Sequence, residues 1–161
     1  MDVSAVSPPD WLLRLESSAL AHAISRSDHL VGAALQVMHV LGIVLLLASL
    51  VLLSLRLLGL ALRTHSVPRV GADAVRLMSV GFAMALVSGV LMFVSSPRLY
   101  YYNPAFRLKM LLFLLAVAVH TALLRTVRRD PPSPLLARVS ASCSLVSWFS
   151  VGFAGRVIGF L

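Results

Sequence analysis

Four long apolar runs, separated by short polar breaks that contain proline, make up most of this chain. The first holds the stretch ALQVMHVLGIVLLLASLVLLSLRLLG (Ala34 to Gly59). Crossing about 30 Å of hydrocarbon takes about 20 apolar residues in a helix. Each run meets that length, and the pattern predicts spans over 29–62, 72–95, 105–125 and 135–160. The first break, Arg63 to Arg69, is interrupted by Pro68. The second runs from Ser96 to Pro104 with three consecutive tyrosines, as an aromatic belt would have. The third, Arg128 to Pro134, is stiffened by prolines. The expected fold class is therefore all-α, an integral membrane four-helix bundle.

Residues 1–27 follow a different pattern. Ser7 reads as an N-cap, with Pro8 in the first turn and Asp10 completing a capping box. Trp11, Leu12, Leu15, Ala19 and Ala23 recur at helical spacing. This predicts one amphipathic helix lying at the membrane interface, with Trp11 as its anchor. Ser27 and Asp28 read as the cap of the first span. In the second span, Gly81, Ala85 and Gly89 form a stripe of small residues that lets helices approach closely.

Composition agrees with the pattern. Hydrophobic residues are 59% of the 161 and charged residues 12%, against about 25% charged in soluble domains. The net charge of +8 does not point to nucleic acid, because the basic residues lie between apolar runs. Membrane lipid is the expected surrounding. Loops one and three with their flanks hold eight arginines, and the other side holds six basic residues along with Asp2, Asp10, Glu16 and Asp28. The positive-inside effect then places both termini on the periplasmic side of a bacterial inner membrane. The single cysteine, Cys143, lies in an apolar stretch and is expected to be a small buried hydrophobe.

Ionisable groups within spans are costly and mark functional sites. His39 lies roughly 8 Å below the boundary of the first span, counted from Ala34. Alternating span direction brings Lys109, Met92, Met110 and Arg156 to the same outer layer, with His22 and His29 on that side. Lys109 and His120 are three turns apart on one face of the third span, so His120 lies about 16 Å deeper. A hydrogen bond from His120 to a neighbouring backbone group or serine is the expectation there, with a second inner site as the alternative.

Three readings of the outer layer stand side by side. In the first, Lys109 and Arg156 snorkel to the headgroups and His39 ties helices together. In the second, His39 is an axial ligand of haem b, with Lys109, Arg107 or Arg156 pairing with the propionates. In the third, copper is held by a set drawn from His39, His22, His29, Met92 and Met110. The chain has no GxxxxGK[ST], HExxH or GxSxG motif and no pair of carboxylates within a span.

The runs WLLRLESSALAHAI (Trp11 to Ile24), MHVLGIVLLLASLVLLSLRLLGL (Met38 to Leu60), GFAMALVSGVLMF (Gly81 to Phe93), NPAFRLKMLLFLLAVAVH (Asn103 to His120) and SWFSVGFAGRVIGF (Ser147 to Phe160) resemble a bacterial family of small four-span membrane proteins known only as a domain of unknown function. That family's pattern has an acidic residue where this chain has Ser54, and often asparagine where it has His120. More distantly, the placing of His39 and Lys109 and the run RLKMLLFLL (Arg107 to Leu115) are similar to the HemJ-type membrane protoporphyrinogen oxidase and to the copper-resistance D family. The first of these groups implies haem b, the second copper. Apart from these resemblances, a redox partner or a second copy of the chain is the expected partner in the membrane, and a structural subunit of a membrane complex with no cofactor is the remaining alternative.

Overall fold

The computed structural model describes residues 7–26, 29–61, 64, 67–127 and 134–158. Among them, every regular element is a helix: α1 (Asp10–Glu16), α2 (Ala19–Ser25), α3 (His29–Leu58), α4 (Val67–Ser95), α5 (Pro97–Tyr102), α6 (Pro104–Val127) and α7 (Pro134–Val157). Four of these, α3, α4, α6 and α7, are long and apolar enough to cross a membrane. The chain is an all-α helical bundle. α3 packs along α4, α6 along α7, and α3 against α7, while α4 and α6 approach each other less. The predicted cap at Ser27 and Asp28, the arginines 128 and 129, and the last residues of the fourth predicted span lie outside the described residues.

The ends of the spans follow local chemistry. α3 stops at Leu58 rather than 62 because Gly59 takes φ 74°. The Leu60 amide then donates to Leu55 O at 2.9 Å, the wrap that closes a helix with a left-handed residue. α4 begins at Val67, earlier than expected, with Pro68 inside its first turn, where a missing amide costs nothing. The second break is a helix, not a loop: Pro97 starts α5. Asn103 Oδ1 then accepts from Ala105 N at 2.9 Å and Phe106 N at 3.2 Å, capping α6.

The N-terminal prediction needs correction. There are two short helices, not one, and Ser7 does not cap. Pro8 precedes a proline, which disfavours helical backbone there. Pro9 is extended at ψ 147° and serves as N-cap with no side-chain hydrogen bond. The break falls at Ser18, whose hydroxyl accepts from Ala21 N at 3.2 Å. Leu12 is buried and Leu15 half-buried while Trp11, Ala19 and Ala23 are exposed, so only part of the predicted apolar face is packed, and Ala21 is buried in their place. α1 and α2 fold against α4 and α5. Trp11 meets Tyr101 edge-on at 5.3 Å, and Arg98 Nε donates to Glu16 Oε2 at 2.7 Å. Both partners of that ion pair are about half exposed, so it contributes little. The burial of Leu12 is what holds α1.

Close approach organises the spans. A Cβ on Gly42 would stand 2.6 Å from Ala85 N and 2.7 Å from Gly81 O. A Cβ on Gly81 would meet Gly42 O at 2.6 Å and Leu46 N at 2.7 Å. The backbones of α3 and α4 are therefore in direct contact, at the stripe predicted from small residues. Elsewhere the core is Leu46, Leu50, Leu53, Ala116, Leu123 and Trp148. Phe82 of α4 stacks on Phe113 of α6 at 6.0 Å, and both meet Trp148 edge-on. Cys143 is exposed, contrary to expectation. Ala141 and Ser144 are buried and Ser140 nearly so, so they turn α7 such that its cysteine faces outward.

Two outcomes follow from this packing. Gly42→Ala forces the α3 and α4 backbones apart and should cost about 1–3 kcal/mol. Gly32→Ala meets nothing within 4 Å and should be neutral or slightly stabilising; unfolding midpoints in detergent compare the two. Leu12→Ala should expose amides 10–25 to hydrogen exchange, at a cost of about 2–5 kcal/mol, whereas Glu16→Gln should leave their protection unchanged.

Candidate functional site

The site lies toward the end of the bundle that carries α5, and all four long helices supply it. His39 projects from α3 toward α4. Its Nδ1 is 2.8 Å from Ala85 O and 3.1 Å from Ser88 Oγ. A carbonyl can only accept, so Nδ1 carries the proton and donates. Ala85 O has a lone pair beyond the one its own helix uses, which is what makes this bond available within an intact helix. Ser88 donates to Met84 O at 2.6 Å, so its remaining acceptor capacity faces the imidazole. The ring fits because position 89 is glycine: a Cβ there would stand 3.1 Å from His39 Cε1.

With Nδ1 protonated, Nε2 holds the ring's lone pair. Lys109 reaches it from α6, with Nζ 3.5 Å from Nε2. The lysine stem crosses α7 at Gly155, where a Cβ would meet Nζ at 3.2 Å and Cε at 3.3 Å. Two glycines thus make room for two functional side chains, Gly89 for the histidine and Gly155 for the lysine. The His39 and Lys109 pair ties α3 to α6 through the interior, and α4 and α7 flank it.

The other predicted residues are distributed differently. Arg107 and Arg156 are exposed on α6 and α7. His22 and His29 are exposed at the N-terminal end of the bundle. Met110 is exposed and Met92 is half-buried. Among the described residues no group of three or more His, Cys, Asp or Glu side chains converges in the way a metal ion needs. His120 lies deeper, with Nδ1 3.3 Å from Ser144 Oγ and its ring edge-on to Trp148 at 6.0 Å. That is a contact with a serine, and it shares with Lys109 the helix it touches, α7.

Sequence reasoning named His39 and Lys109 but not the groups that position them: Ala85 O, Ser88, Gly89 and Gly155. Gly89 and Ala85 were legible as part of the small-residue stripe. Gly155 carried no such signal, because nothing in the local sequence says that a lysine from another helix will cross it.

Four membrane-length helices around a polar pair define a polytopic helical membrane protein. Within that class, the chain belongs to the family of unknown function DUF6644, whose model matches residues 15–161. No curated protein and no solved structure matches it.

The geometry makes a direct prediction about His39. In protein labelled with nitrogen-15 at histidine, its Nδ1 should show the proton-bearing signature and its Nε2 the lone-pair signature. Ser88→Ala should leave that assignment in place, since Ala85 O is the nearer acceptor. The opposite tautomer would contradict the geometry.

Proposed function

We propose that this chain is a haem-b-binding redox protein of the bacterial inner membrane, with both termini on the periplasmic side and its site in the outer leaflet. The observation that carries the reading is the orientation of His39. An imidazole whose Nδ1–H is held by a backbone carbonyl presents Nε2 as a ligand, the arrangement ligating histidines use. The residues fit the group in this respect. When bound, haem supplies one-electron exchange at iron.

The chain's own groups do the rest. Ala85 and Ser88 fix the ring, and Gly89 lets it come close to α4. Lys109 holds Nε2 and has to turn away for ligation. Its ammonium would then be free to hold a haem propionate, as a charge-assisted bond between ionised partners. Arg107 and Arg156, exposed near the headgroups, offer further cations. The same placing of histidine and lysine underlies the distant similarity to the HemJ-type oxidase.

A second reading rests on one specific contact. Lys109 already occupies Nε2, so the pair can serve purely as a bridge between α3 and α6. The reduced-minus-oxidised spectrum of the purified protein, produced in haem-replete cells, separates the two. A Soret and α-band with near-stoichiometric iron is expected, and His39→Ala should abolish both. A colourless, copper-bearing protein would replace haem by copper. A colourless, metal-free protein would leave the bridge as the role of the pair.

A further inference from the structure

Arg138 stands in the second turn of α7, at the end of the bundle opposite α5, and is exposed. Among the described residues no ion pair holds it; the nearest thing to one in this chain, Glu16 with Arg98, belongs to the other end. α7 has 24 residues, about 36 Å at 1.5 Å per residue, so it exceeds the hydrocarbon by about 3 Å at each end. Arg138 comes four residues after Pro134, about 6 Å along the helix. Its backbone therefore lies just inside the hydrocarbon boundary, where a guanidinium reaches outward to an anion or to water.

An apolar groove of about 500 Å³ lies between α3 and α7, lined by Val44, Leu47, Ala48, Val51 and Leu52 of α3 and by Phe149 of α7. Phe149 marks the face of α7 that turns to this groove. Arg138 precedes it by eleven residues, about three turns, and so shares that face. The depths also agree. Phe149 is fifteen residues from the start of α7, and Val44, across the groove, is fourteen from the end of α3. Arg138 is four residues from that start, and Leu52 is six from that end. The last lining residue of the groove and the arginine thus lie within about one helical turn of each other in depth.

Charge selects the occupant. At this end the described residues carry Arg56, Arg69, Arg76, Arg125 and Arg138 against Asp73. Such a surplus attracts a headgroup with net negative charge and disfavours one that adds an ammonium. The planar fork of an arginine matches the oxygens of a phosphate, and an acyl chain matches an apolar groove open to the bilayer.

We propose that α3 and α7 bind an anionic phospholipid of the phosphatidylglycerol class, with its phosphate on Arg138 and one acyl chain in the groove beside Phe149. The site lies about 25 Å along α7 from Gly155 and shares no residue with the pair of His39 and Lys109. It stands whether or not haem is bound.

The test uses the full chain in detergent, with phosphatidylglycerol and phosphatidylcholine of identical acyl chains offered together and adducts counted by native mass spectrometry. One phosphatidylglycerol per chain should be retained, about fivefold over phosphatidylcholine, the worth of one basic residue at an anionic headgroup. Arg138→Gln should erase that preference. Arg76→Gln, on a helix that does not line the groove, should leave it in place. Ala48→Trp, which fills the groove while leaving the arginine, should lower retention of phosphatidylglycerol. Arg138, Arg76 and Ala48 are all exposed, so these changes leave the core intact. Equal retention of the two lipids would overturn the proposal. An equal loss of preference in Arg76→Gln would replace the site by a diffuse basic rim. Retention untouched by Ala48→Trp would reduce it to a headgroup contact with no bound chain. A missing Soret band in the same preparations bears on the haem reading alone.

Discussion

The contact between the α3 and α4 backbones at Gly42 and Gly81 governs what the rest of this bundle can do. In lipid, apolar side chains gain nothing by leaving one hydrocarbon for another, so helices associate where small residues allow close packing. Here the virtual Cβ of Gly42 falls 2.6 Å from Ala85 N. That proximity brings the carbonyl of Ala85 within reach of His39, three residues before Gly42. A side chain at either glycine would move the helices apart and take the carbonyl from the imidazole. The packing of two glycines and the tautomer of one histidine are therefore linked.

The same economy recurs at α7. Gly155 leaves a path for the Lys109 side chain, and Ser144 gives His120 a partner inside the apolar core. The two polar contacts sit at different depths on one helix. The His120–Ser144 contact joins α6 to α7 and fixes their relative rotation, whereas Lys109 passes Gly155 to reach His39 and ties α6 to α3. Buried polar groups that find partners rigidify a bundle and specify its register. Unlike these, the bond between Glu16 and Arg98 is open to solvent and follows the docking of α1 rather than causing it. The aromatic layer of Phe82, Phe113 and Trp148 fills the wider gap between α4 and α6. That gap is what leaves the interior at the α5 end to the histidine and the lysine.

The sequence by itself determined the number of long helices, their approximate limits, the stripe of small residues on α4 and the candidacy of His39 and Lys109. These follow from runs of apolar residues and from the cost of ionisable groups within them, both local quantities. It was less informative where helices start and stop. The double proline before Asp10, the glycine after Leu58 and the serine pair after Glu16 act through backbone dihedrals and hydrogen bonds that a hydropathy pattern does not report. Tertiary structure alone decided that Ala85 O orients the imidazole, that Gly155 admits the lysine, and that Cys143, His22, His29 and Met110 are exposed. Each of these depends on how one helix is rotated against another. An apolar helix with neighbours on one side and lipid on the other carries only a weak sequence signal for that rotation.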